Sequence, residues 1–159
     1  MSTTPNITMR PVVVADRQFL ERVYAESRAE ELCATGWSEA EKTAFCQSQF
    51  SVQDSFYKQN YPTCKYMIIE CEAKPVGRLY VNRMASEIRV VDIALLTNAR
   101  GKGIGSCIMK NILSEARTAK HKVSIHVERT NPARRLYERL GFSLVEEGEV
   151  YDFLVWSPS

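Results

Sequence analysis

The chain has 159 residues, 45% hydrophobic and 25% charged, with a formal net charge of +2. That suffices for one domain with a full core, and one domain over residues 1–159 is expected. The near balance of charge argues against the basic stripe of a nucleic-acid binder, and no apolar run approaches the roughly 18 residues that span a bilayer.

The segment Met1 to Met9 is polar and lacks the apolar core of a signal peptide, so a cytoplasmic location is expected. Cys33, Cys46, Cys64, Cys71 and Cys107 are odd in number and irregularly spaced, with no CxxC pair. Neither a zinc site nor a redox motif is signalled; packed, reduced thiols and no bound metal are expected.

In chain order, Ile7 to Val14 reads as a strand ended by Pro11 or soon after. Asp16 can cap a helix to about Ser27, with Phe19, Leu20, Val23 and Tyr24 on one face. Ser38 and Glu41 form a capping box that opens a second helix to about Tyr57. Tyr66 to Glu72 and Val76 to Asn82 read as a hairpin turning at Lys74-Pro75. Glu87 to Leu96 is the most β-rich stretch, and its apolar run from Val90 predicts a strand covered on both faces. A glycine loop and a helix from about Gly103 to Lys120 follow. Ile104, Ile108 and Ile112 recur every four residues there, with Met109, Leu113 and Ala116 beside them. Val123, Ile125 and Val127 alternate with Ser124, His126 and Glu128, which marks a strand. Asn131-Pro132 opens a short helix with Ala133, Leu136 and Leu140 as its buried stripe and Gly141 as its left-handed stop. Phe142 to Glu146 and Val150 to Trp156 are two last strands. The order is βααβββαβαββ: an α/β (α+β) protein with a mixed sheet of about seven strands and four helices.

The loop Arg100-Gly101-Lys102-Gly103-Ile104-Gly105-Ser106 lies between strand and helix. The first amides of a helix lack internal partners and its dipole adds partial positive charge there, so an anion is stabilised where they converge. Glycine at 101, 103 and 105 lets a diphosphate approach the backbone; Arg100 and Lys102 add cations, and Ser106 a hydroxyl. The spacing is neither the GxxxxGK[ST] of a Walker loop nor the GxGxxG of a dinucleotide fold, and positions 119 to 125 hold no carboxylate. Taken alone, the loop is also compatible with a tight turn that eases helix–sheet packing.

The surroundings narrow this. Val91-Asp92-Ile93-Ala94-Leu95-Leu96 leads into Arg100-x-x-Gly103-x-Gly105, and about thirty residues on comes Tyr137-Glu138-Arg139-Leu140-Gly141-Phe142. Here the chain resembles the GNAT superfamily of N-acetyltransferases, strongly from Val90 to Phe142 and by topology over Arg10 to Trp156. The resemblance implies a largely antiparallel sheet splayed between its fourth and fifth strands, acetyl-CoA as cosubstrate and a primary amine as acceptor. The pantetheine arm would pair with the backbone of Ile93, Ala94 and Leu95. The pyrophosphate would sit on the amides of Gly101 to Ser106. Tyr137 would protonate the departing thiolate. Relatives place a coenzyme-contacting Asn seven positions before the Tyr; Asn131 stands six before, so it either contacts coenzyme or only caps the helix. His126 falls where some peptide-amine acetyltransferases carry a catalytic glutamate, and a histidine titrates in the useful range; it is either the base or a structural or substrate-lining residue, with Glu87, Asp92 and Glu128 as rival bases and water alone as a further carrier of the proton. Arg89 occupies another base position of the family and cannot act as one. Arg134 and Arg135 either reach the coenzyme's 3′-phosphate or form a solvated face.

Acceptor choice would lie mainly in Arg28 to Tyr61, with Trp37, Phe45, Phe50, Phe56 and Tyr57 and the carboxylates Glu26, Glu30, Glu31, Glu39, Glu41 and Asp54. These carboxylates either favour a cationic amine or form a solvated helix face. The alternative to an enzyme is a non-catalytic acyl-CoA-binding protein. The strand ending Phe153-Leu154-Val155-Trp156 is also a candidate for pairing across a homodimer.

Overall fold

The computed structural model describes residues 5–159; residues 1–4, part of the expected domain over 1–159, lie outside them. Seven strands form one sheet in the order β1-β2-β3-β4-β5-β7-β6. They are β1 (Ile7–Pro11), β2 (Lys65–Cys71), β3 (Lys74–Arg83), β4 (Glu87–Leu95), β5 (Lys122–Glu128), β6 (Ser143–Glu147) and β7 (Tyr151–Trp156). The helices are α1 (Arg17–Cys33), α2 (Glu39–Asn60), α3 (Ile104–Ala119) and α4 (Arg134–Arg139). β4 runs parallel to β5, whereas β1–β2, β5–β7 and β6–β7 are antiparallel. The mixed sheet and element order are those expected. Among the described residues no helix is long and apolar enough to cross a membrane.

The described chain divides into two compact units, residues 5–80 with Ile93–Lys102, and Val81–Asp92 with Gly103–Ser159. In the first, Leu20, Tyr24 and Leu32 of α1 pack with Cys46 and Phe50 of α2 and Ile68 of β2. Ser38 and Glu41 form the expected capping box, each side chain accepting the other's amide at 3.1 and 3.2 Å. Asp16 behaves differently from expectation. Its carboxylate does not cap α1; it accepts both Arg10 Nη atoms at 2.8 Å and the Val13 amide at 2.8 Å. Charge-assisted bidentate pairing outcompetes a single capping bond. The Arg10 guanidinium, against the opposing effect of burial, holds the Asp16 carboxyl below the usual range. α1 runs on to Cys33, beyond the expected Ser27.

In the second unit Ile104, Ile108, Met109, Ile112, Leu113 and Ala116 of α3 are all buried. So are Val123, Ile125 and Val127, the side of β5 that α3 covers. The strand β7 lies between β5 and β6, so it has no free edge for pairing across a dimer. The edge strand on that side of the sheet is β6.

The β2–β3 turn falls at Glu72-Ala73 rather than Lys74-Pro75. Both residues have positive φ, 50° and 64°, as a two-residue type I′ hairpin turn requires. Neither is the Gly or Asn that signals this turn. A left-handed backbone costs an alanine roughly 1–2 kcal/mol, partly offset by glycine's larger entropy loss. Ala73→Gly should therefore raise the unfolding free energy by about 1 kcal/mol, read as a higher urea midpoint at unchanged slope.

Candidate active site

β4 hands the chain to a single 3-10 turn, Thr97–Ala99, and then to the glycine loop. Glu26 of α1 fixes this entry by accepting the Thr97 amide at 2.7 Å. Burial alone would raise the Glu26 carboxyl, but the Thr97 amide, the Arg22 guanidinium and the Thr97 hydroxyl together hold it below its ordinary value. Gly101 and Gly103 take φ of 75° and 82°, a left-handed geometry that reverses the chain ahead of Ile104. The Cys107 amide closes on the Gly103 carbonyl at 3.0 Å. Three α3 amides, those of Ile104, Gly105 and Ser106, come before that bond and have no i−4 acceptor inside the helix. A Cβ at Gly101, Gly103 or Gly105 would meet no atom within 4 Å. Open space, outward amides and the exposed Arg100 and Lys102 suit a polyanion.

Ile93, Ala94 and Leu95 precede this loop and are half-buried. This departs from a strand covered on both faces. β3 holds one edge of the segment: the Leu96 amide reaches the Val76 carbonyl at 2.8 Å. A Cβ on Gly77 would lie 2.3 Å from the Ala94 carbonyl oxygen. Gly77, which the sequence reading passes over, thus permits the close approach of β4. Arg100 Nε donates to the Leu95 carbonyl at 3.1 Å, bracing the strand end.

The ladder between β4 and β5 covers only Glu87–Val90 against Lys122–Ile125. β5 continues to Glu128 paired with β7 alone. The pairing of β4 with β5 therefore ends at Val90 and Ile125.

In the second unit Tyr137 is the buried residue of α4, 4% exposed, whereas Ala133, Leu136 and Leu140 are less buried. Burial, reinforced by the nearby Asp92 charge, pushes its phenol up to about 12; it is a protonated donor at neutral pH. The Phe142 amide donates to the Tyr137 carbonyl at 3.0 Å and the Gly141 amide to the Glu138 carbonyl at 3.1 Å. With Gly141 at φ 103° this is a Schellman stop, as the sequence predicts. α4 starts later than expected. The Asn131 side chain accepts the Ala133 amide at 2.9 Å, and its carbonyl accepts the Arg134 amide at 3.1 Å, so a tight turn precedes the helix. Arg134 is tied to the buried Asp152 and to Glu138, which leaves it engaged within the fold.

His126 lies on the other face of the sheet from α3 and α4. Asp152, which Arg134 of α4 holds, pairs with Val127, and side chains alternate along β5. The imidazole is exposed and sits 4.7 Å from the Phe153 ring. Burial against its neighbours and the Arg89 charge lower its pKa from the ordinary value, with Glu146 opposing. Glu87, a rival base, accepts from the Ser124 hydroxyl at 2.6 Å and from Arg89 at 3.0 Å. Its burial is outweighed by Ser124, Arg89 and Lys122, which hold it below the carboxylate range and make it a poor proton acceptor.

Four of the acidic residues of the helical region are engaged locally: Glu31 with Arg28, Glu39 with Lys42, Asp54 with Lys58, Glu41 with its cap. A cavity of about 320 Å³ in the first unit is lined by Val12, Leu20, Phe50, Tyr66 and Tyr80, with Arg17, Asp54 and Lys58 among its polar residues. None of the catalytic or coenzyme-binding residues predicted from the sequence lines it.

A mixed seven-stranded sheet whose β4 leads into an open glycine loop at the start of α3 defines the class as α/β. Residues 62–144, more than half of the chain, match the family model described as an acetyltransferase (GNAT) domain. The chain belongs to the GNAT acetyltransferase family. No curated protein matches by sequence. Among solved structures it is similar to PaiA N-acetyltransferase from Thermoplasma acidophilum in complex with coenzyme A, at 15% identity and TM-score 0.69, covering 96% of this chain and 99% of that one. An acetyltransferase from Thermus thermophilus is 18% identical at TM-score 0.68, covering 95% and 96%. A GNAT family acetyltransferase from Elizabethkingia anophelis with acetyl-CoA bound is 14% identical at TM-score 0.60, covering 96% and 98%. At these identities the likeness establishes the fold.

The stop beneath Tyr137 can be probed directly. A Cβ on Gly141 would lie 3.3 Å from Trp156 Cδ1, on a backbone of positive φ. Gly141→Ala should lose about 1–2 kcal/mol in urea unfolding and perturb tryptophan fluorescence.

Proposed function

We propose that the chain is an acetyl-CoA-dependent N-acetyltransferase, acting as a single domain on a primary amine of a small molecule or peptide. The observation that carries this reading is the open glycine loop, with outward amides at the α3 start and room where three Cβ atoms are missing. Two of the similar structures hold coenzyme A and acetyl-CoA, which supports the same occupant here.

In this reading the amides of Gly101, Lys102, Gly103, Ile104, Gly105 and Ser106 take the pyrophosphate, with Arg100 and Lys102 adding charge. The backbone of Ile93, Ala94 and Leu95 pairs with the pantetheine arm, which covers their half-exposed side. Asn131 has its side-chain oxygen on the Ala133 amide; its amide nitrogen is the group it can offer the coenzyme.

The neutral amine attacks the thioester carbonyl carbon. The C–N bond forms and the C–S bond breaks. Tyr137 gives its phenolic proton to the leaving thiolate, and His126 accepts the proton that the new amide nitrogen sheds. Solvent then returns both groups to their starting states. A phenol pushed up to about 12 stays protonated throughout the physiological range, and an imidazole lowered below its ordinary value stays neutral. The acid and the base thus occupy complementary proton states.

Tyr137→Phe should lower kcat by roughly 10²-fold in a coenzyme-release assay over an amine panel, while calorimetry shows acetyl-CoA binding intact. No turnover with any amine from a wild-type chain that binds acetyl-CoA would favour a non-catalytic acyl-CoA binder. Gly105→Ala separates fold from ligand. The new methyl meets no protein atom and improves helix propensity, so stability should hold or rise by up to about 1 kcal/mol. Acetyl-CoA affinity should fall by about tenfold, or about 1.4 kcal/mol. Unchanged affinity would remove the loop from the coenzyme site.

A further inference from the structure

The sheet face that carries His126 holds a polar clamp that the transfer step does not use. Arg89 on β4 pairs across the ladder with Ser124 on β5, two residues before His126. Its Nε donates to the Ser124 hydroxyl at 3.1 Å and its Nη2 to Glu87 at 3.0 Å. The same Ser124 hydroxyl donates to Glu87 at 2.6 Å, closing a three-membered ring of hydrogen bonds. Ser124 is fully buried beneath it. The guanidinium carbon then stands 5.4 Å from the centre of the Phe153 ring, and the His126 imidazole stands 4.7 Å from that same ring. A cation and an imidazole thus share one aromatic platform, and the cation is fixed from behind by two partners.

We propose that Arg89 is a positioning residue: clamped by Ser124 and Glu87 onto Phe153, it orients the His126 imidazole to accept the amine proton. The proposal rests on the reading of His126 as the base. Arg89 adds a fixed positive charge that disfavours a second cation on the same ring, so the imidazole is held in its accepting form. Among the described residues, the other charged or titratable groups that the register of β4 to β7 puts on this face are Glu146 on β6, Tyr151 on β7, Glu128 on β5, and Glu87 with its partner Lys122. Glu146 is the group that opposes Arg89. The two flank His126 with opposite effects, which makes the arrangement testable by sign.

The experiment is an NMR titration of the His126 ring in the full chain, with His121, the other of the two histidines, as internal reference. It is run on wild type, Arg89→Gln, Arg89→Lys and Glu146→Gln, alongside the pH profile of kcat/KM. Arg89→Gln should move the His126 midpoint upward and carry the acid limb of the profile with it. Glu146→Gln, on an exposed edge strand that tolerates substitution, should move both downward. Arg89→Lys, which keeps the charge but loses the fork, should restore much of the midpoint. Unmoved midpoints in folded Arg89→Gln and Glu146→Gln, or shifts of the same sign, overturn the proposal. If the midpoints move in opposite directions while the acid limb stays put, the Arg89–His126 coupling stands and the assignment of His126 as the base fails. If Arg89→Gln does not fold, Glu146→Gln decides: a downward midpoint supports the proposal, and an unmoved or upward one overturns it.

Discussion

A parallel ladder that stops while both of its strands continue exposes backbone groups that hydrogen-bond strongly and are costly to leave unmet. Here the stop falls at Val90 and Ile125. β5 answers it on one edge only, through β7. β4 is held on its other edge by β3, through Val76 and the close approach at Gly77. The half-buried side chains of Val91 to Leu95 are the local consequence. The same strand delivers the chain into a loop whose two left-handed glycines start a helix with outward amides. The strand leads directly into the loop, and the first amides of α3 have no acceptor inside their own helix.

Some of this is legible without any coordinates. The α3 stripe follows from period 3.6, and all six residues it names are buried. The capping box at Ser38, the left-handed Gly141 and the loop spacing are local chemistry, decided by residues close in sequence. The features that differ depend on distant partners. Asp16 has the sequence context of a helix cap, but the bidentate claim of Arg10 comes from six residues away, on a strand. The turn at Glu72-Ala73 carries no turn residue, and its two positive φ angles show only in the structure. The apolar run in β4 reads as doubly covered because a sequence does not say where a ladder ends. Tyr137 stands beside an apolar stripe in the sequence, yet it is more buried than that stripe.

Gly77 and Ser124 illustrate the other side of the same limit. Each is small and ordinary in its segment. One accommodates a neighbouring carbonyl; the other closes a ring of hydrogen bonds with Arg89 and Glu87. Their importance comes from what crosses them in the sheet, and no spacing within either strand announces it.

The Schellman stop at the end of α4 gives the spacing from Tyr137 to Phe142 a physical meaning. In that motif the amide of the residue after the glycine reaches back five positions to a helical carbonyl. The carbonyl reached here is that of Tyr137 itself. The interval between the aromatic hydroxyl and the Gly-Phe pair is therefore a length gauge set by hydrogen-bond geometry. Adding or deleting one residue between them would detach the phenol's own backbone from the turn that anchors it, even with every side chain retained.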